Sequence, residues 1–225
     1  MGPPALHPDP ADANAAHYRK YVTSNGTDIV AIAKSNYVGV ACSSVSTTPP
    51  VNAVSYGPAT GVFFQNSDTR FRDITDGTSQ TLLAAEVKAW QPYTRNGGPS
   101  STAIPNDPAT AAALVASGVQ YKDTGHTEWP DGRVHHTGFT AALAPNTAVP
   151  YTTGGQTLDA DYNSWQEGAN GSAGVSTYAL VTSRSYHPGT VQTALVDGSV
   201  RSIQQTIDLA VWRALATRAG GEVVP

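Results

Sequence analysis

Hydrophobic residues in this chain occur in short runs separated by Gly, Pro, Asn and Asp. That pattern is typical of short strands joined by turns. Apolar runs predict strands at residues 35–40 (SNYVGV) and 61–65 (GVFFQ). Residues 28–33 and 80–87 fit either a strand or a helix, because a short apolar run does not separate the two.

Helices are predicted where an apolar spacing follows a capping residue. Candidate caps at Asp12, at Asn106 or Asp107, and at Asp208 precede helices at residues 14–22, 108–117 and 209–218. A single helical turn fits residues 71–74, and residues 125–150 are predicted to be a loop.

The clearest local signal lies near the end of the chain. Asp197-Gly198 separates two strand-like runs at residues 191–196 and 199–203, which predicts a hairpin with a type I′ turn. We therefore expect an α+β fold with a twisted antiparallel sheet, long loops, and a C-terminal hairpin followed by a short helix. Residues 1–34 are predicted to form an N-terminal arm with a short helix, and residues 35–225 the head domain.

The composition favours a surface that carries little charge. Charged residues make up 13% of the chain, the net charge is -4, and Gly (21) and Pro (16) are plentiful. Without a run of Lys or Arg the chain has no basic stripe for phosphates, so we expect no nucleic-acid partner. The one cysteine, Cys42, has no partner for an internal disulfide and fits a small buried residue.

No stretch approaches the roughly 18 apolar residues that span a bilayer, so we expect no membrane contact for this chain. The first twenty residues contain no apolar core of a signal peptide. If the protein works outside the cell, we expect its export segment to be absent from this sequence.

Several separated motifs carry a resemblance to a known family. The segment SRSYHPGTVQTALVDGSVRSI (residues 183–203) places nine residues between His187 and Asp197-Gly198. Further motifs occur in the order SNYVGV (35–40), DITDGTSQTLLAAE (73–86), WPDGRVHHTGFTAALAPNT (129–147), DYNSWQEG (161–168) and ALATRAGGEVV (214–224). Together they resemble the pilin-like H-x(9)-D-G family of bacterial proteins of unknown function, described as prepilin-type processing-associated.

The resemblance implies a secreted, pilin-like head that in full-length relatives follows a pilin signal and a long hydrophobic helix. It implies an extracellular or cell-surface location, and like subunits of a homo-oligomer or filament as partners. His187, Asp197, Gly198, Asp76 and Gly77 would then be structural residues of its motifs. The family brings no catalytic residues, so we expect a structural or interaction module that is not an enzyme.

A hydrolase is the alternative that the histidines keep open. His187 with Asp197 would act as base and orienting carboxylate, with Ser185 or Ser199 as the nucleophile. A site around His135 is a further variant. Neither serine lies in a G-x-S-x-G turn, so the structural interpretation of His187 is favoured.

Carboxylates at alternate positions suggest a calcium site. Asp159, Asp161, Asn163 and Glu167 could surround Ca²⁺ and order a loop that binds a cell-surface glycan or another ligand. Residue 164, where a calcium loop needs Gly, is Ser. Ser164 to Glu167 also match a capping box, S-x-x-E, so a capped turn is the favoured alternative.

Two further groups of residues suggest binding. His126, Glu128, His135 and His136 could hold zinc, but adjacent histidines on a strand point to opposite faces and no Cys assists them. Hydrogen-bonded histidines in a loop are therefore favoured. The aromatic residues Tyr121, Trp129, Trp165 and Trp212 could stack on sugars, although packing in the core is the favoured role.

Overall fold

A computed structural model describes residues 19–22, 28–32, 37–42, 46–48, 60–63, 67–128, 131–164 and 177–222. These residues form an α+β fold with mostly antiparallel sheets and a short C-terminal helix, as predicted. The strands are β1 (Arg19–Val22), β2 (Asp28–Ile32), β3 (Tyr37–Cys42), β4 (Ser46–Thr48), β5 (Leu82–Glu86), β6 (Gln91–Arg95), β7 (Gln120–Gly125), β8 (Gly138–Thr140), β9 (Pro150–Thr153), β10 (Gln156–Asp159), β11 (Asp161–Asn163), β12 (Thr177–Leu180), β13 (Thr190–Leu195) and β14 (Val200–Gln204). The helices are α1 (Pro108–Ser117), α2 (Val134–Thr137) and α3 (Leu209–Leu215), with a 3-10 turn at Phe71–Asp73.

Two five-stranded sheets carry the fold. The first has the order β14-β13-β5-β3-β8, and the second has the order β4-β12-β11-β6-β7. Each contains one parallel pair, β3 with β8 and β11 with β6. The sheets meet where the backbone N–H of Thr140 donates to the carbonyl of Val181 at 2.7 Å.

The core has two parts, one for each sheet. In the first, α3 packs its Trp212 against Phe139 of β8, beside Leu82 and Leu195 of the sheet. In the second, Leu114 and Val115 of α1 pack against the second sheet and the segment that follows β8. Both helices thus cover apolar sheet surface, which supplies most of the stability of such short elements.

Several helices and strands predicted from local sequence patterns are confirmed. The predicted helix at residues 108–117 is α1, and the side chain of Asp107 accepts from the N–H of Thr110 at 2.8 Å as its N-cap. Both ambiguous segments, residues 28–33 and 80–87, form strands. The strand predicted at residues 35–40 is β3, and residues 71–73 form the expected single helical turn.

Other expectations were wrong where pairing with distant segments decides the conformation. Residues 19–22, expected in the helix at residues 14–22, form β1 because they pair with β2; residues 14–18 lie outside the described residues. Of the strand predicted at residues 61–65, residues 61 and 62 lie in a bend, and Arg218 donates to the carbonyls of Thr60 and Gly61; residues 64–65 lie outside the described residues. The expected loop at residues 125–150 contains α2 and β8.

The third helix is shorter than predicted, since α3 ends at Leu215 and not at residue 218. Within the described residues, no helix is long and apolar enough to cross a membrane. The division of the chain at residue 34 stays a prediction.

Candidate functional site

The H-x(9)-D-G segment brackets a single strand, because His187 precedes β13 and Asp197-Gly198 follow it. Six residues of strand span about 17 Å, so the two ends of the motif lie far apart. His187 and Asp197 therefore do not form a base and its orienting carboxylate.

Each end of the motif is fixed to the segment that contains β5. At one end, Nε2 of His187 lies 3.3 Å from Oε1 of the buried Glu86, whose Oε2 accepts from the N–H of Gln192 at 2.7 Å. At the other end, the N–H of Asp197 donates to the carbonyl of Thr78 at 3.1 Å. The motif thus holds β13 against β5 at both ends of the strand pair.

The predicted hairpin is present, with a different turn from the one expected. Of the central pair, Gly198 alone has a positive φ, 86°, whereas a type I′ turn needs two. Leu195 donates to the carbonyl of Ser199 at 2.9 Å and accepts from Gly198 at 2.9 Å. The loop therefore has three residues, with Gly198 at its left-handed position, and Asp197 accepts from both the N–H and the hydroxyl of Ser199.

Neither candidate nucleophile faces the ring of His187. The hydroxyl of Ser185 donates to the carbonyl of Thr190 and accepts from the backbone N–H of His187 at 3.1 Å. Ser199 donates its hydroxyl to Asp197, at the opposite end of β13. Both hydroxyls thus donate to groups other than the ring of His187.

The Asp76-Gly77 motif ties the C-terminal segment to the body of the fold. Oδ2 of Asp76 accepts from the N–H of Gly220 at 2.7 Å, and Oδ1 accepts from Gly221 at 2.8 Å. The hydroxyl of Thr217 lies 2.8 Å from Oδ2. Burial, which raises the pKa of Asp76, is outweighed by these hydrogen bonds, so the pKa lies below its usual value. Gly77 has a φ of 99°, which suits glycine at the turn.

The two aspartates of the calcium hypothesis converge on a guanidinium. Arg184 is buried and donates through Nε and Nη2 to the two oxygens of Asp159, each at 2.8 Å, and through Nη1 to Asp161 at 2.6 Å. Asp159 also accepts from the N–H of Val149. The position between the carboxylates that the hypothesis gave to a cation is thus taken by Arg184. Burial raises the pKa of Asp161 to about 6. The attraction of Arg184 lowers this pKa, but it does not cancel the effect of burial and of the repulsion by Asp159.

The other residues of that segment have separate partners. The side-chain amide of Asn163 faces His135, with Nδ2 2.9 Å from Nδ1 of the ring. Residues 161–163 form a strand, and the hydroxyl of Ser164 accepts from the N–H of Tyr178 in β12. Ser164 is therefore used in the sheet, and the rest of the predicted capping box, residues 165–167, lies outside the described residues. Glu167 lies outside the described residues.

Three histidines cluster at α2. His126, at a positive φ of 56°, places Nδ1 3.1 Å from the carbonyl of His136. The ring of His135 stacks on Tyr93 with centroids 4.6 Å apart, and its Nε2 has no hydrogen-bond partner among the described residues. The rings of His126 and His135 are nevertheless each hydrogen-bonded through Nδ1, which agrees with the expected hydrogen-bonded histidines. Burial lowers the pKa of His126 to about 3 and that of His135 well below its usual value, so both rings are neutral at pH 7.

Of the zinc candidates, Glu128 and His136 lie together, whereas His126 and His135 face other partners. The third carboxylate at this point is Asp131, which the sequence analysis did not select. Asp131 lies in the segment 125–150, which was predicted to be a loop.

The aromatic residues are divided between core and surface. Trp212 is buried, which confirms its expected place in the core. Tyr121 stacks on Tyr151 with centroids 6.1 Å apart. Trp129 and Trp165 lie outside the described residues, so the sugar platform stays a prediction.

Two buried residues were not selected from the sequence, although each binds residues that were. Glu86 contacts His187, and Arg184 binds Asp159 and Asp161. One signal was available for Arg184, which is the one Lys or Arg between Arg133 and Arg201. Its burial and its two carboxylate partners are given by the structure alone, and they agree with the rule that buried charges are paired.

Residues 7–210 match the profile of a protein family described as "Protein of unknown function (DUF1559)". The comparisons found no matching curated protein and no matching solved structure.

Proposed function

We propose, from the premise that the chain belongs to this uncharacterised family, that it is a non-catalytic structural and interaction head of a pilin-like bacterial surface protein. Its place is outside the cell, and its partner is a second copy of the same chain in an oligomer or filament. The observation that carries the proposal is that both ends of the H-x(9)-D-G motif bind the segment of β5, through the contact of His187 with Glu86 and the hydrogen bond from Asp197 to Thr78.

The histidine-based alternatives find less support in this geometry. A triad needs its nucleophile, base and carboxylate within hydrogen-bond reach of one another. His187 instead lies against Glu86 of the sheet, and the hydroxyl of Ser185 is directed to a backbone carbonyl. His135 is buried between Tyr93 and His136, where a substrate has no access.

The surface suited to a second copy is the outer edge of β14. Among the described strands β14 pairs with β13 alone. Its sequence, VRSIQ, carries one charge, and Val200 is 70% exposed. An exposed edge with few charges presents unpaired backbone groups to another strand, which supports association through β14.

Sedimentation velocity over a range of concentrations tests the association. We expect a reversible oligomer that Val200→Lys disrupts, because the charge lies on the edge where the strands would pair. Val119→Lys is the matched control, since Val119 is 77% exposed and lies outside β14. A chain that stays monomeric at every concentration, or equal effects of the two substitutions, would contradict the proposed surface.

A screen for hydrolase activity tests the non-catalytic part separately. His187→Ala should lower the melting temperature, because it removes the contact with Glu86, and should leave no activity to lose. A hydrolysis that disappears in His187→Ala while the variant remains folded would show that the chain is an enzyme.

A further inference from the structure

Glu128, Asp131 and His136 each bring one ligand atom to a common point. Their atoms all lie within 4.8 Å of one another. Glu128 and Asp131 have side chains about one-fifth exposed, and His136 is buried. We propose that these three residues bind a divalent transition-metal ion of the Zn²⁺ class, a site that lies beyond the proposed structural role and does not depend on it.

The distance between the ligand atoms of His136 and Glu128 is closer to that of two ligands of one ion than to that of a hydrogen bond. Nε2 of His136 lies 3.7 Å from Oε1 of Glu128, whereas N–H···O bonds are about 2.7–3.2 Å long. Two ligand atoms that each lie about 2.1 Å from a tetrahedral Zn²⁺ are separated by about 3.4 Å. Small side-chain rotations would therefore bring the observed atoms to bonding distance.

Hydrogen bonds of the backbone fix the residues that carry the ligands. The N–H of Asp131 donates to the carbonyl of Glu128 at 3.0 Å, and the hydroxyl of Thr137 donates to the carbonyl of Asp131 at 3.0 Å. The N–H of His126 donates to the carbonyl of His135 at 2.8 Å, which joins the two ends of the segment. Glu128, Asp131 and the segment of His136 are thus held by hydrogen bonds before an ion binds, which lowers the cost of ordering them.

Arg133 is the competitor of the ion. Its Nη1 lies 3.0 Å from Oδ2 of Asp131, so the guanidinium neutralises the carboxylate of Asp131 when no metal is bound. Its backbone N–H donates to the other oxygen of Asp131 at 3.0 Å and fixes the orientation of the carboxylate. The side chain of Arg133 is 30% exposed, so it has room to turn towards water when an ion arrives.

The chemistry of the three ligands selects the class of ion. One imidazole with two carboxylates suits Zn²⁺, whereas Ca²⁺ and Mg²⁺ take oxygen ligands alone. Three protein ligands leave a fourth position for water. The bound ion would join the segment after β7 to α2.

Isothermal titration of the chelator-treated full chain with Zn²⁺ tests the proposal. We expect one site per chain that Glu128→Gln and Asp131→Asn each weaken by more than about tenfold, since even partners outside the coordination sphere contribute 10–100-fold. Asp123→Asn is the matched control, because it removes an exposed carboxylate from β7 and should leave the affinity unchanged. Ca²⁺ at the same concentrations should give no binding.

The variant Arg133→Gln is expected to bind Zn²⁺ more tightly than the wild-type chain. Removing a positive charge beside the ion should tighten Zn²⁺ binding by about tenfold or more. That result, with the losses in the two carboxylate variants, supports the site. Absence of binding would overturn it, as would equal affinities in all variants, which would place the ion on other histidines. Should Glu128→Gln fail to fold, Asp131→Asn and Arg133→Gln decide the question by their opposite signs.

Discussion

Removal of Arg184 gives the most direct measure of how the segment after β12 is fixed to β10 and β11. In Arg184→Met the side-chain volume is largely kept, and the guanidinium that links Asp159 and Asp161 is lost. The side chain of Asp161 is almost fully buried and would keep only the N–H of Thr182 as a donor, at 3.2 Å. Removing one member of a buried ion pair leaves the other charge uncompensated, which destabilises a protein by about 3–5 kcal/mol.

In a chain of this length, each kcal/mol corresponds to about 2–4 °C in melting temperature, so we expect a decrease of about 6–20 °C. The double variant Arg184→Met/Asp161→Asn removes the orphaned charge as well and should recover at least about 1 kcal/mol of that loss. Arg184→Lys keeps the charge without the fork that binds Asp159 through two nitrogens, and should give a smaller loss than Met.

The pH dependence provides a second signature. The folded pKa of Asp161, about 6, lies above the usual 3.8. The folded state therefore binds more protons between these values, and the contribution of this group to stability is full below about pH 4 and is lost as the pH rises through 6. Without the guanidinium the folded pKa rises further, so Arg184→Met should regain stability on acidification from pH 8, and Asp161→Asn should abolish that gain.

Chemical denaturation of the wild-type chain and its four variants at pH 5 and pH 8 provides the free energies of unfolding. A loss below about 1 kcal/mol in Arg184→Met would refute the reasoning, because it would mean that the buried carboxylate needs no cation. Strict additivity of Arg184→Met and Asp161→Asn would refute it equally, since contacting groups must couple.

Two further predictions concern the turn at Gly198 and the contact of Asp76 with the C-terminal segment. Gly198→Val should lower the free energy of unfolding by more than about 1 kcal/mol, because φ is 86°, whereas Gly132→Val, with open space and a φ outside the left-handed region, is the control. Denaturant titrations check this, and equal effects would contradict it. Asp76→Asn should flatten the loss of stability in acid, because a lowered folded pKa contributes stability above about pH 4 that is lost as the pH falls. Melting temperatures measured from pH 3 to 7 test this, with Asp123→Asn as the control. If both variants lose stability in acid to the same extent, the lowered pKa of Asp76 would be contradicted.

The sequence predicted those elements whose causes are local. Asp107 and Pro108 define the start of α1 within a few residues of chain, and Asp197-Gly198 defines the position of the hairpin. The turn type was wrong because an additional residue, Val196, joins the loop through a hydrogen bond from Val196 to Thr81, well upstream in the chain. Such a contact leaves no mark in the local pattern.

The candidate sites show the same limit. The alternating carboxylates at residues 159 and 161 were considered as ligands of Ca²⁺, whereas the structure pairs both with Arg184. Their partner, Arg184, lies far along the chain and could not be assigned by spacing. Glu86 and His187 were both inside recognised motifs, but their contact joins two motifs that sequence alone treats separately.

The order β14-β13-β5-β3-β8 has a consequence for how the chain reaches its native state. β3 lies between β5 and β8, and β5 in turn needs β13, so the first sheet is complete only when strands from residues 37 to 204 are present together. Contacts so distant in sequence raise the contact order, which slows folding. A nascent chain that ends before β13 would leave one side of β5 without its partner, an unpaired edge that favours aggregation. We therefore expect that truncation before residue 190 abolishes folding, and that the complete chain folds late, after its last strands have been synthesised.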